Sequence, residues 1–180
     1  MQTVKIVVTG PFSAGKTKFI RSVSEIDVVS TERKISTAQE KTVKEATTVA
    51  MDFGRITVDD DLVLYLFGTP GQRRFDFMWE ILSEGMLGFI VMVDSTRPET
   101  FREARSILET FRAYAPTPYV VAANKQDLSD AWEIEDMRHA LRLAPQVKLI
   151  SCVATDRDSV KEILLELLYS ILNVVEDGEK

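Results

Sequence analysis

The stretch Val4 to Thr17, VKIVVTGPFSAGKT, decides the fold. Val4, Ile6, Val7 and Val8 are apolar and mostly β-branched, a run that predicts a buried strand stopping at Gly10. Gly10, Gly15, Lys16 and Thr17 then complete G-x-x-x-x-G-K-[ST], with a helix expected from Lys16 to about Glu25. Each fixed position has a physical task. The glycines let the backbone turn tightly, so that successive N–H groups converge on phosphate oxygens at a helix N-terminus, where the dipole also favours negative charge. Lys16 supplies a point charge for the β- and γ-phosphates, and the Thr17 hydroxyl suits Mg²⁺.

Working outward, the polar segment Ile26 to Thr48 has no sustained apolar period and is expected to be a long, mobile loop. Alternation at Val49, Met51, Phe53, Ile56 and Val58 predicts a half-buried strand, and Asp59 to Asp61 a turn into the strand Leu62 to Phe67, giving an antiparallel hairpin. Gly68 to Phe75, GTPGQRRF, is a loop leading to a helix at Asp76 to Glu84. Leu87 to Val93 is a continuous apolar run of the kind a central parallel strand shows. Thr96 and Glu99 have capping-box spacing, with Pro98 between them, and predict a helix running to Tyr114. A strand Tyr119 to Ala123, a helix Trp132 to Leu143 and a short strand Val147 to Ile150 follow. Val160, Ile163, Leu164, Leu167, Leu168, Ile171 and Leu172 mark the apolar face of a closing helix. Strands alternating with helices give an α/β domain, residues 1–180, with a mostly parallel sheet wrapped on both faces.

A net charge of −6 argues against nucleic acid as the main partner and against electrostatic attachment to anionic membranes. Cys152 is the single cysteine, which removes any intrachain disulfide. No apolar run has membrane-span length, Gln2 stands where myristoylation needs glycine, and the C-terminal VVEDGEK lacks a prenylation cysteine. The expectation is a cytoplasmic protein without a lipid anchor.

Asn124-Lys125-Gln126-Asp127 follows a buried strand. The Asp127 carboxylate is able to accept from both N1–H and the exocyclic amine of guanine, a pair adenine does not offer, while the Lys125 stem covers the base plane. A site built for such bonds rejects the analogue lacking them.

At this point the sequence resembles the Ras-like small GTPases over nearly its whole length. GPFSAGKT is similar to the first family motif, TTVAMDF to the switch I threonine and the strand after it, GTPGQRRF to switch II, NKQD to the base-reading motif, and CVAT (Cys152 to Thr155) to the loop beside the base. The P-G-Q form of switch II and the absence of lipid sites look most like the prokaryotic branch that includes the polarity GTPase MglA. The resemblance implies a P-loop NTPase fold with a six-stranded, mostly parallel sheet, one antiparallel edge strand and helices on both faces. It implies GTP/GDP and Mg²⁺ as ligands. Gly10, Ser13, Ala14, Gly15, Lys16 and Thr17 would hold phosphates; Thr17 and Thr48 the metal; Gly71 would lie at the γ-phosphate and Gln72 would orient the attacking water, as the corresponding glutamine does in Ras, the worked example of this chemistry. Asn124, Lys125, Asp127, Val153 and Ala154 would surround the guanine, with the Ala154 backbone at its oxygen. Effectors and an activating or regulatory protein, Roadblock-type in the MglA-like branch, would read the switch segments.

Three departures stand out. Gly68 replaces the switch II aspartate that holds a water of the metal; Phe12 occupies a place that is often glycine, where it would crowd the γ-phosphate; and the separation of Thr17 from Thr48 is longer than in compact eukaryotic members. Asp52, four residues past Thr48, is about 13 Å along the strand, too far to replace the missing carboxylate on that count. Arg33, Arg55, Arg73 and Arg74 are each candidates for an internal arginine finger or for plain solvated charges. Phe75, Phe77, Met78 and Trp79 cannot all face inward from one helix, leaving core packing and partner binding both open. His139 is expected at the surface and Cys152 buried. Two rivals to a hydrolysing switch remain: a guanine-nucleotide-binding module with negligible hydrolysis, and an ATPase or kinase using the same loop.

Overall fold

The computed structural model describes residues 2–30, 51–71 and 76–178. In chain order these form β1 (Gln2–Thr9), α1 (Lys16–Val23), β2 (Val29–Ser30), β3 (Asp52–Thr57), β4 (Leu62–Gly68), α2 (Phe77–Ser83), β5 (Gly88–Asp94), a 3₁₀ turn (Pro98–Thr100), α3 (Phe101–Tyr114), β6 (Tyr119–Asn124), α4 (Ile134–Ala140), β7 (Leu149–Ser151) and α5 (Arg157–Gly178). One sheet of order β2-β3-β4-β1-β5-β6-β7 contains all the described strands. The pairs β1–β4, β1–β5, β5–β6 and β6–β7 are parallel, and β3 runs antiparallel to β4. The six expected strands are all present. Two-residue β2 adds an antiparallel rung beyond β3, inside the segment expected to be loop; its residues 31–48 lie outside the described residues.

The two-residue side-chain period of the strands builds two cores. From β1 and β5, Ile6, Val8, Ile90 and Met92 meet α1 and α5 through Phe19, Ile20, Val160, Ile163 and Leu167. The alternate residues Val7, Phe89, Val91 and Val93 meet α2, α3 and α4 through Trp79, Ala104, Leu108, Phe111 and Met137. This is why every residue of β5 is buried and why its sequence shows no alternation.

Several boundaries moved. The Thr96 cap does not form, because the Thr96 N–H (3.0 Å) and hydroxyl (2.7 Å) both donate to Asp94 Oδ1, and α3 begins only after the 3₁₀ turn. Leu172 is not a core residue: Ile171 beside it takes the buried position against β5, and Leu172 stands off that face of α5, 55% exposed. Among the crowded residues of α2, Trp79 is buried and Phe77 faces outward, so packing and exposure share the helix, while Phe75 lies outside the described residues. His139 is exposed, as expected, and Cys152 is buried, which pushes its thiol up to about 12.

Phe111 shows what holds the second core. Its ring lies 5.7 Å from Trp79, 5.6 Å from Phe89 and 5.6 Å from Tyr114, fully buried. Phe111→Ala should lower the unfolding free energy by about 3–5 kcal/mol in urea titration, a loss set by the cavity left between α2, α3 and β5.

Candidate functional site

The chain leaves β1 toward β3 and leaves β5 toward β6, so the carboxyl ends of these adjacent strands open a crevice at a topological switch point. The loop Gly10–Gly15 lies there, and its glycines are required by their surroundings. A Cβ on Gly10, at φ +144°, would stand 2.3 Å from the Met92 carbonyl oxygen of β5. One on Gly15, at φ +105°, would stand 2.2 Å from Asn124 Nδ2 of β6. Ser13 also has positive φ, 62°, so the turn brings its backbone into the left-handed region between the two glycines.

Gly15 is the N-cap of α1, and no side chain caps that helix or places an acid in its first turn. Its leading N–H groups are therefore offered to an outside acceptor, at the positive end of the helix dipole. Lys16 is buried, and its ammonium donates to the carbonyls of Gly10 (2.8 Å) and Pro11 (2.7 Å). Burial lowers its pKa to about 8, against the opposing pull of the Asp52 and Glu103 charges. An uncapped helix end and a cation held by its own loop make an anion site.

Asp52 is the residue that sequence reasoning set aside on distance, and the structure brings it to the site. The Thr17 hydroxyl donates to Asp52 Oδ2 at 2.5 Å, and Asp52 is 9% exposed. In the sheet Asp52 is the direct antiparallel partner of Gly68, and a Cβ on Gly68 would stand 3.1 Å from the Asp52 Cβ and 3.4 Å from its Oδ2. The carboxylate absent from Gly68 is thus supplied from the neighbouring strand, and glycine at 68 leaves it the space. The 13 Å reckoned along the strand from Thr48 misled because α1 packs across β3, so Thr17 approaches Asp52 through the sheet face. A signal existed: Asp52 shares its strand face with Gly54, which is buried, and Ile56, which packs against the core, so an acid sits in the inward phase. Two hard oxygen donors beside a phosphate loop fit Mg²⁺ by their chemistry. Among the described residues no cluster of three or more His, Cys, Asp or Glu offers a rival metal site.

The Phe12 side chain is 57% exposed. Gly71 closes over the loop beside it: a Cβ there would stand 2.7 Å from Phe12 Cα and 3.1 Å from Lys16 Nζ. Pro70, just before it, is tied to α2 because Trp79 Nε1 donates to the Pro70 carbonyl at 3.2 Å. Thr69 is taken up in structure, donating to Thr9 Oγ1 at 2.8 Å. Arg55 pairs with Glu25 at 3.4 Å at the surface. Thr48, Gln72, Arg33, Arg73 and Arg74 lie outside the described residues.

At the other end of the crevice Asn124 bridges two loops. Its Nδ2 donates to the Ala14 carbonyl and its Oδ1 accepts from the Ala154 N–H, both at 2.9 Å. The expected contact of the Ala154 backbone with a guanine oxygen would share this N–H. The Val153 N–H donates to Ser159 Oγ at 2.9 Å, and Ser22 donates to the Ala154 carbonyl, which fixes the loop to α5 and α1. Lys125, at φ 66°, turns the chain outward, leaving Asp127 exposed at the rim.

With this geometry in place the relatives are informative. The chain is 27% identical to an uncharacterised protein of Methanocaldococcus jannaschii over 165 residues, 92% of this chain and 95% of the relative. It is 30% identical to ADP-ribosylation factor-like protein 9 of Homo sapiens over 143 residues, 78% of this chain and 68% of that one. With the Ras-related protein SEC4 of Saccharomyces cerevisiae it shares 27% over 138 residues, 74% of this chain and 64% of the relative. A family model described as conserved hypothetical ATP binding protein matches residues 8–174. The chain belongs to that family, and it is a P-loop nucleotide-binding protein related to the Ras, Arf and Rab GTPases.

Proposed function

We propose that this protein is a guanine-nucleotide switch that binds GTP and GDP with Mg²⁺, hydrolyses GTP slowly until a partner assists, and shows partners a different surface in each state. One observation carries the reading: Asn124 joins the phosphate loop at Ala14 to the base loop at Ala154, so phosphate-binding and base-reading groups line one crevice. In it the backbone from Gly10 to Thr17, Ser13 and Ala14 included, takes the phosphates together with Lys16. Asp127 accepts from N1–H and the exocyclic amine of guanine, with Lys125 along the base plane. Thr17, Asp52 and Thr48 are the residues that would hold Mg²⁺. Bound there, the metal supplies charge neutralisation at the β- and γ-oxygens. Gly71 senses the γ-phosphate and Gln72 orients the attacking water.

The P-G-Q form of switch II supports a place in the MglA-like branch, and with it a Roadblock-type regulator. Exposed Phe77 (62%) and Ile81 (56%), on the helix after Gln72, give effectors an apolar surface to read. The family's description as ATP-binding favours a second reading, in which adenine occupies the base site and Asp127 contributes nothing to selection.

Competition against a fluorescent GDP analogue separates the two. GTP and GDP should displace it at least about 100-fold better than ATP, and Asp127→Asn should erase that preference while leaving the melting temperature near wild type. Equal competition by ATP would install the adenine reading. Single-turnover hydrolysis, with and without candidate activators, then measures the enzyme.

Asp52→Asn keeps the side-chain shape and removes the charge. It should weaken Mg²⁺ by about 10- to 100-fold, read as the metal concentration that half-protects bound GDP from release. An unchanged midpoint would take Asp52 out of the metal site.

A further inference from the structure

The base-reading loop is shaped by the end of the neighbouring strand. Asp94 and Asn124 are register partners at the ends of β5 and β6, and the Ser95 N–H donates to the Asn124 carbonyl at 3.0 Å. Beyond that rung the side chains take over. Lys125 Nζ donates to Asp94 Oδ2 at 2.5 Å, and Gln126 Nε2 donates to Ser95 Oγ at 2.7 Å and to the Trp132 carbonyl at 3.0 Å. Asp94 is 2% exposed, and its second oxygen accepts from the Thr96 N–H and hydroxyl. The Lys125 side chain is 36% exposed and begins from a left-handed backbone, φ 66°.

A lysine on that backbone has many rotamers open to it, and the base plane needs one. A carboxylate sunk in the sheet end, itself fixed by Thr96, selects it. We infer that Asp94 is a positioning residue for base recognition, fixing the Lys125 stem over the nucleotide base so that guanine affinity runs through the Asp94–Lys125 pair. This rests on the guanine reading of the crevice. Burial pushes the Asp94 carboxyl upward, and the bonds from Lys125 and Thr96 outweigh it and hold the group below its ordinary range, so the ion pair persists at neutral pH. Asp94 does not touch the nucleotide; it acts through Lys125 alone.

The test is a double-mutant cycle on nucleotide release from the full chain. Asp94→Asn and Lys125→Met should each speed release of fluorescent GDP by about 10-fold, and of the GTP analogue by the same factor, because the base is common to both. The double variant should be no faster than either single one. A merely structural Asp94 would give additive effects, about 100-fold in the double variant, and that result overturns the inference, as does a GTP effect differing from the GDP effect. Asp94→Glu retains the charge and the pairing of Lys125 but displaces it by one methylene. It should release GDP several-fold faster in a protein that melts like wild type, which keeps the test decisive should Asp94→Asn fail to fold. An unchanged rate in that variant overturns the inference. If the wild-type protein binds no GDP, the guanine reading and the inference fall together; an additive cycle in a GDP-binding protein removes the inference only.

Discussion

The close approach of the carboxyl ends of β1, β5 and β6 is the constraint on which the rest depends. Parallel strands about 4.8 Å apart bring the loop after β1 against the backbone of β5 and the Asn124 side chain of β6. Gly10 against the Met92 carbonyl and Gly15 against Asn124 leave no room for a Cβ at either place. The glycines of the motif therefore answer to the sheet beneath as well as to a ligand above. The same crowding lets Asn124 reach both Ala14 and Ala154, welding three loops from distant parts of the chain into one wall.

A second constraint follows from pairing β3 with β4. Across an antiparallel pair, partner residues project on the same face within about 5 Å at Cβ. Asp52 opposite Gly68 is such a pair, so an acid on either strand reaches one point in space. Placing it on β3 disfavours a second acid on β4, because two carboxylates at that spacing would repel each other, and any Cβ at Gly68 would be tight against Ile20 Cδ1 (3.0 Å) and Asp52 Cβ (3.1 Å). The departure at Gly68 and the presence of Asp52 are one change seen twice.

Most of the fold was legible because its signals are local. The apolar run of β5, the motif at Gly10 to Thr17 and the heptad-like face of α5 each follow from the period of a single element. What was not legible depends on contacts between elements. Thr96 has capping-box spacing, yet a buried acceptor two residues earlier, Asp94, competes for its hydroxyl and wins. Leu172 fits the i, i+4 spacing of the closing helix, but Ile171 holds the buried position against β5 and Leu172 lies off that face. The Asp52 site was misjudged by measuring along the chain, whereas the relevant path crosses from helix to sheet.

Lys16 joins these constraints to the chemistry. A buried ammonium is costly unless its donors are satisfied, and here two loop carbonyls accept from it while Asp52 lies near enough to favour its charge. One of those carbonyls belongs to Gly10, which is pressed against Met92 of β5, so the ammonium is held where the loop meets the sheet. A nucleotide phosphate arriving at the uncapped end of α1 meets a cation already in place, with little side-chain freedom left to lose. It also brings negative charge to a lysine that burial, against the pull of Asp52 and Glu103, holds at about 8. The loop is thus arranged so that the charge of a bound phosphate offsets the desolvation that the fold imposes on Lys16.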